Sequence, residues 1–64
     1  MWNDFLQGMF DDVMYAANYV KDQSGYIKYY VDLYRQYAKS AEGGDAPEMV
    51  EAYYALADRL EATL

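Results

Sequence analysis

The carboxylates are the first residues to test for chemistry. Eleven Asp and Glu stand against five Lys and Arg in 64 residues, for a net charge of −6. Their closest pairs are Asp11/Asp12, Glu48/Glu51 and Asp58/Glu61. Two carboxylates divide acid–base work only inside a pocket that separates their pKa values. These pairs all fall on or beside helix faces that read as solvated, so they read as solubilising acids. The chain has no His and no Cys. That removes the thiolate nucleophile, the disulfide framework and the zinc finger, and with them the usual neutral-pH base and the commonest metal ligand. Ser24, Ser40 and Thr63 have no histidine to activate them. An inward Glu-x-x-His pair for a di-metal bundle is missing. Gly43-Gly44-Asp45 supplies neither the alternating oxygens of a calcium loop nor a phosphate cradle with a lysine. The expectation is a binding protein and not an enzyme, with no cofactor and no metal.

Nine tyrosines are the unusual feature. On a helical wheel Tyr30, Tyr34, Tyr37 and Tyr53 fall on inward stripes, where each ring can pack and its hydroxyl reach the bundle edge. Tyr26 is ambiguous. Tyr15 projects near the centre of an outward face, and Tyr19, Tyr29 and Tyr54 lie well off their core directions. Those four exceed what a monomer of this size can bury. Exposed tyrosine is enriched at interfaces and is a frequent hot spot.

Three helices must position these groups. The first is read over about residues 2–22. Trp2, Phe5, Leu6, Met9, Val13, Ala16, Ala17 and Val20 recur at helical spacing, opposite Asp4, Gln7, Asp11, Tyr15, Asn18 and Asp22. Asn3 can cap its start and Asp4 suits the helix dipole, whereas Gly8 weakens its interior. Gln23-Ser24-Gly25 reads as the break, with Gly25 able to end one helix or Ser24 to cap the next. The second helix is read over about 26–42. Its inward stripe is Ile27, Tyr30, Tyr34, Tyr37 and Ala41, flanked by Val31 and Leu33. Lys28, Asp32 and Arg35 stand at spacings that allow pairing along its polar face. Gly43 or Gly44 can end it. Asp45 and Glu48 form a capping-box-like pair, with Pro47 in the first turn of a third helix over about 46–63. There Met49, Tyr53, Leu56, Ala57, Leu60 and Leu64 point inward. The brief first connection makes helices one and two antiparallel neighbours, and the longer, glycine-rich second one brings helix three back, so the whole chain, 1–64, reads as one all-α domain: an antiparallel three-helix bundle.

Length limits this fold. A chain this short buries only ~60% of the surface its unfolded form exposes, so dense aromatic packing or a partner must add stability. An apolar fraction of 55% is too high for intrinsic disorder. No apolar run reaches membrane-spanning length, and Met-Trp-Asn-Asp lacks a basic leader. The expected setting is the cytoplasm, with no membrane partner. The acidic balance disfavours direct contact with nucleic acid phosphates.

The charge is uneven. Residues 1–24 carry four acids and one base, residues 25–42 two acids and three bases, and residues 43–64 five acids and one base. The outward residues Asp4, Asp11, Tyr15 and Asp22 of helix one, and Glu48, Glu51, Tyr54, Asp58 and Glu61 of helix three, can merge into one acidic surface set with tyrosines. Acids three or four residues apart stand ~5–6 Å apart on a helix, a spacing comparable with phosphate charges along a strand. Such a surface can compete with nucleic acid for a basic groove, speeded by electrostatic steering.

With Asp4, Asp11, Glu51, Asp58 and Glu61 beside Tyr15 and Tyr54, the chain resembles the small acidic inhibitors of phages and mobile elements, the anti-CRISPR and DNA-mimic anti-restriction proteins. The resemblance is compositional and spans the chain without a diagnostic motif. It implies an inhibitor of a nucleic-acid-handling complex, with a basic nucleic-acid-binding protein as partner, acting in a host cell's cytoplasm. The modest charge and the basic second helix depart from the strongest mimics and leave room for binding through tyrosine and apolar contacts. The alternative is a structural or antitoxin-like module in which a homodimer buries Tyr19, Tyr29 and Tyr54.

Overall fold

The computed structural model describes residues 2–44 and 46–64. Its elements are α1 (Asp4–Ala17), α2 (Gln23–Glu42), a 3-10 turn (Pro47–Met49) and α3 (Val50–Glu61). The helices pack on one another as an all-α three-helix bundle. Arg35 of α2 meets Glu61 near the end of α3, while Glu42 near the end of α2 meets Tyr54, so α3 runs back along α2. Those two helices make the tightest pair, and α1 lies across both more sparsely.

Local sequence explains each boundary. Asn3 has extended backbone and its Oδ1 accepts from the Leu6 N–H at 2.9 Å, a side-chain cap at the start of α1. The expected run to residue 22 is corrected: α1 stops at Ala17. Asp22 is claimed by α2, where its Oδ1 accepts from the Gly25 N–H at 3.0 Å. An aspartate at that position satisfies an orphan donor and faces the positive end of the helix dipole. Gln23-Ser24-Gly25 is therefore the first turn of α2 and not the break. A Cβ on Gly25 would run into the Asp22 carboxylate, which explains the glycine without any left-handed backbone. We expect Asp22→Ala to lower the unfolding free energy by about 0.5–2 kcal/mol. A urea midpoint unchanged by that substitution would show the cap to be idle.

α2 ends at Gly43 as the glycine pair predicts. Gly44 lies so close to the Ser40 carbonyl that a Cβ there would stand 2.9 Å from its oxygen. The capping pair of Asp45 with Glu48 involves a position outside the described residues. Ala46 precedes the 3-10 turn without a side-chain cap, and Pro47 opens it where its missing N–H costs nothing. The third helix is thus shorter than 46–63, with the α-helix proper confined to Val50–Glu61.

The core consists of Val13 and Ala17 from α1, Ile27, Val31 and Tyr34 from α2, and Leu56, Ala57 and Leu60 from α3. Leu6, Ala38, Ala41 and Ala52 are also buried. Two stripes are rotated from the expected ones. On α2 the seam is Ile27, Val31, Tyr34, Ala38 and Ala41. Val31 and Ala38 are compact enough for close helix approach, whereas the half-buried Tyr30 and the exposed Tyr37 stand at the flanks. On α1, Phe10 and Met14 pack on the core while Phe5 is 66% exposed. Leu64, beyond the end of α3, is exposed as well.

Candidate functional site

The outer face of α1 is built from Asp4, Phe5, Gly8, Asp11, Asp12 and Tyr15, all exposed. The helix contains no base at all, so its three aspartates have no countercharge on their own element. Its C-terminal carbonyls add to the negative potential. Asp11 is held in place: the Gln7 amide donates to its Oδ1 at 2.9 Å, and the Trp2 indole donates to Gln7 Oε1 at 2.8 Å. Just beyond the helix, Tyr19 reaches back to Tyr15. Their ring centroids are 5.2 Å apart and their hydroxyls 3.5 Å apart. They are 67% and 74% exposed, so this aromatic pair is formed in water and not in the core. The bond to Tyr15 raises the Tyr19 phenol above its ordinary pKa.

The acids of helix three are placed differently. Asp58 and Glu61 face α2, where Arg35 binds both: 2.8 Å to Glu61 Oε1 and 3.5 Å to Asp58 Oδ1. The guanidinium depresses the Glu61 pKa through hydrogen bonding and charge. These are the ion pairs among the described residues. They replace the pairs expected along α2 itself, because Arg35 is long enough to reach the neighbouring helix. Arg59 lies on the other flank, its guanidinium 4.1 Å over the Trp2 ring. A base therefore stands at the seam where the acids of helices one and three were expected to merge. Glu48 in the 3-10 turn and Glu51 in the first turn of α3 are exposed. Nearby, the half-buried Tyr54 donates to Glu42 Oε2 at 3.5 Å. Of the nine expected site residues, Asp4, Asp11 and Tyr15 share one face. Glu48, Glu51 and Tyr54 gather toward the opposite end of the α2–α3 pair. Asp58 and Glu61 are tied to Arg35, and Asp22 caps a helix.

A third feature was not expected. Met9, Asp12 and Val13 of α1 and Tyr26, Tyr30 and Tyr34 of α2 line an open cleft of about 250 Å³. The three rings follow one another along α2, with centroids 5.1 Å apart for Tyr26–Tyr30 and 5.9 Å for Tyr30–Tyr34. Tyr34 also lies nearly parallel to Tyr53, at 6.1 Å and 12°. Burial raises the Tyr34 pKa, followed by the neighbouring tyrosines and the Asp12 carboxylate. The spacing of residues 26, 30 and 34 was a signal for this row of rings. What it could not show is that sparse packing of α1 would leave a cleft along the row, with Tyr26 and Tyr30 half-buried and Tyr34 buried beneath them. Among the described residues no cluster of acids is arranged to hold a metal ion. Among the described residues no helix is long and apolar enough to cross a membrane.

No protein-family model, curated protein or solved structure matches this chain.

Proposed function

We propose that this chain is a protein-binding inhibitor that occupies the basic surface of a nucleic-acid-handling protein. The observation that carries the reading is the outer face of α1: three aspartates without a base, with Tyr15 and Tyr19 paired at a tilt and exposed beside them. A basic groove that accepts phosphates and stacked bases would find on this face both countercharge and aromatic surface. The tyrosines supply the desolvated anchors and the aspartates speed encounter. The face is short, because Arg35 and Arg59 interrupt the acidic surface elsewhere. It serves to block a groove and not to imitate a long duplex. The charge also argues against self-association through α1, since pairing two copies there would set three aspartates against three.

The test compares the chain with its Asp4→Lys/Asp11→Lys variant as bait in a cell extract, followed by binding measurements on the purified partner. The reading expects a basic nucleic-acid-binding protein that duplex DNA displaces and that added salt weakens. Charge reversal should weaken that complex by about tenfold or more. A partner bound equally by the variant, or not displaced by nucleic acid, would overturn it.

A further inference from the structure

We propose that the cleft between α1 and α2 is a receptor for an arginine side chain of that partner. The inference rests on the reading of the chain as a binding protein for a basic surface. It adds which residue type is recognised and where. The cleft combines two things a guanidinium seeks. The half-buried rings of Tyr26 and Tyr30, with the buried Tyr34 beneath, offer aromatic surface, and Asp12 offers a carboxylate. At about 250 Å³ the cleft lies just below the ~300–1,000 Å³ of small-molecule pockets, which suits one long side chain.

Charge complementarity selects the occupant. Asp12 is exposed, and no cation stands within pairing distance of it among the described residues. By contrast the chain's own arginines are already engaged, Arg35 with two carboxylates and Arg59 over Trp2. The Arg59 contact shows that this protein holds a guanidinium against an aromatic ring at 4.1 Å. The cleft presents aromatic rings of the same kind and sets the Asp12 carboxylate beside them. Arginine is favoured over lysine because its planar, weakly hydrated head stacks on rings while pairing with a carboxylate, whereas an ammonium gives up more hydration. Met9 adds a polarisable wall that adapts to the methylene stem.

The test uses N-acetyl-arginine amide as the probe, followed by NMR on the ring protons of Tyr26, Tyr30 and Tyr34 and the methyl of Met9. Saturable shifts at these residues are expected, with a dissociation constant of roughly millimolar order. The neutral N-acetyl-citrulline amide should leave them unmoved, and N-acetyl-lysine amide should bind more weakly than arginine. Asp12→Asn, a change at an exposed position, should weaken the arginine probe about threefold to tenfold. Tyr26→Leu, at the half-buried rim, should weaken it as well. Equal shifts with citrulline, tighter binding of lysine, or shifts that ignore Asp12→Asn would each overturn the proposal. The titration needs no partner, so its failure leaves the α1 face untouched. Conversely, a partner insensitive to Asp4 and Asp11 would not alter the behaviour of the probe.

Discussion

Replacing Leu56 with alanine is expected to lower the unfolding free energy by about 2–5 kcal/mol. Leu56 is fully buried, at the centre of a cluster drawn from all three helices. Removing its branched end deletes contacts and leaves a void. The surroundings are poorly placed to close that void. Ala17 and Ala57 have no reach, and the Tyr34 ring is held against Tyr53. A chain of this length has a total stability of about 3–10 kcal/mol, on the scale of 0.05–0.15 kcal/mol per residue. The variant should therefore be partly or wholly unfolded at room temperature, read as loss of far-UV circular dichroism or collapse of the urea midpoint. Phe5→Ala is the matched control. Phe5 is the larger side chain but stands two-thirds exposed, so its loss should stay within about 0.5 kcal/mol. Comparable losses for both would mean that α1 is turned to show its other apolar edge to the core.

That comparison exposes what the residue pattern could and could not convey. The three helices and their antiparallel packing followed from periodicity and from the glycines at 43 and 44. The rotation of each helix did not. On α2 the sets Ile27-Tyr30-Tyr34-Tyr37-Ala41 and Ile27-Val31-Tyr34-Ala38-Ala41 both step by threes and fours. Only the closeness of α3 favours the smaller members, Val31 and Ala38. On α1, Phe5 and Phe10 are equally apolar, and only the position of the neighbours decides which is covered. The end of α1 was hidden because Val20 continues the apolar stripe, while Asp22 with Gly25 three residues on marks a new cap. The candidate surface was legible to the same extent. Asp4, Asp11 and Tyr15 share a face because they share a helix register. Asp58 and Glu61 shared one with Glu51 and Tyr54 on the wheel, but Arg35 from another helix claims them. Contacts between elements, like the open cleft at Tyr26, Tyr30 and Tyr34, depend on distances that no single-helix projection contains.

Tyr34 joins the core to the cleft, and its two substitutions should separate those roles. Tyr34→Ala is expected to cost about 3–5 kcal/mol, as for other large aromatic truncations, because the ring touches Tyr30, Tyr37 and Tyr53. Tyr34→Phe keeps those contacts. The hydroxyl has no protein partner among the described residues and is not sealed from water, so its loss should change stability at neutral pH by no more than about 0.5 kcal/mol. The difference emerges in alkali. Burial, then the charges of the neighbouring tyrosines and Asp12, raise the folded-state pKa of Tyr34 above its ordinary value of 10.0. The neutral phenol is the form the fold prefers. Its contribution is complete below the unfolded value and is lost as pH rises through the raised folded value. Tyr30 is raised too, first by its hydrogen bond with Tyr26 and then by burial. Stability should hold from neutral pH to about 10 and then fall, with a shallower fall in Tyr34→Phe. Urea midpoints across that range test this, with the ultraviolet titration of phenolate as a second readout. Identical alkaline slopes for the two proteins would contradict it. Below that range the rings stay uncharged, so Asp12 alone sets the charge of the cleft. Tyr34→Phe should accordingly leave cation binding nearly intact, whereas Tyr34→Ala removes the floor of the cleft and one wall of the core together.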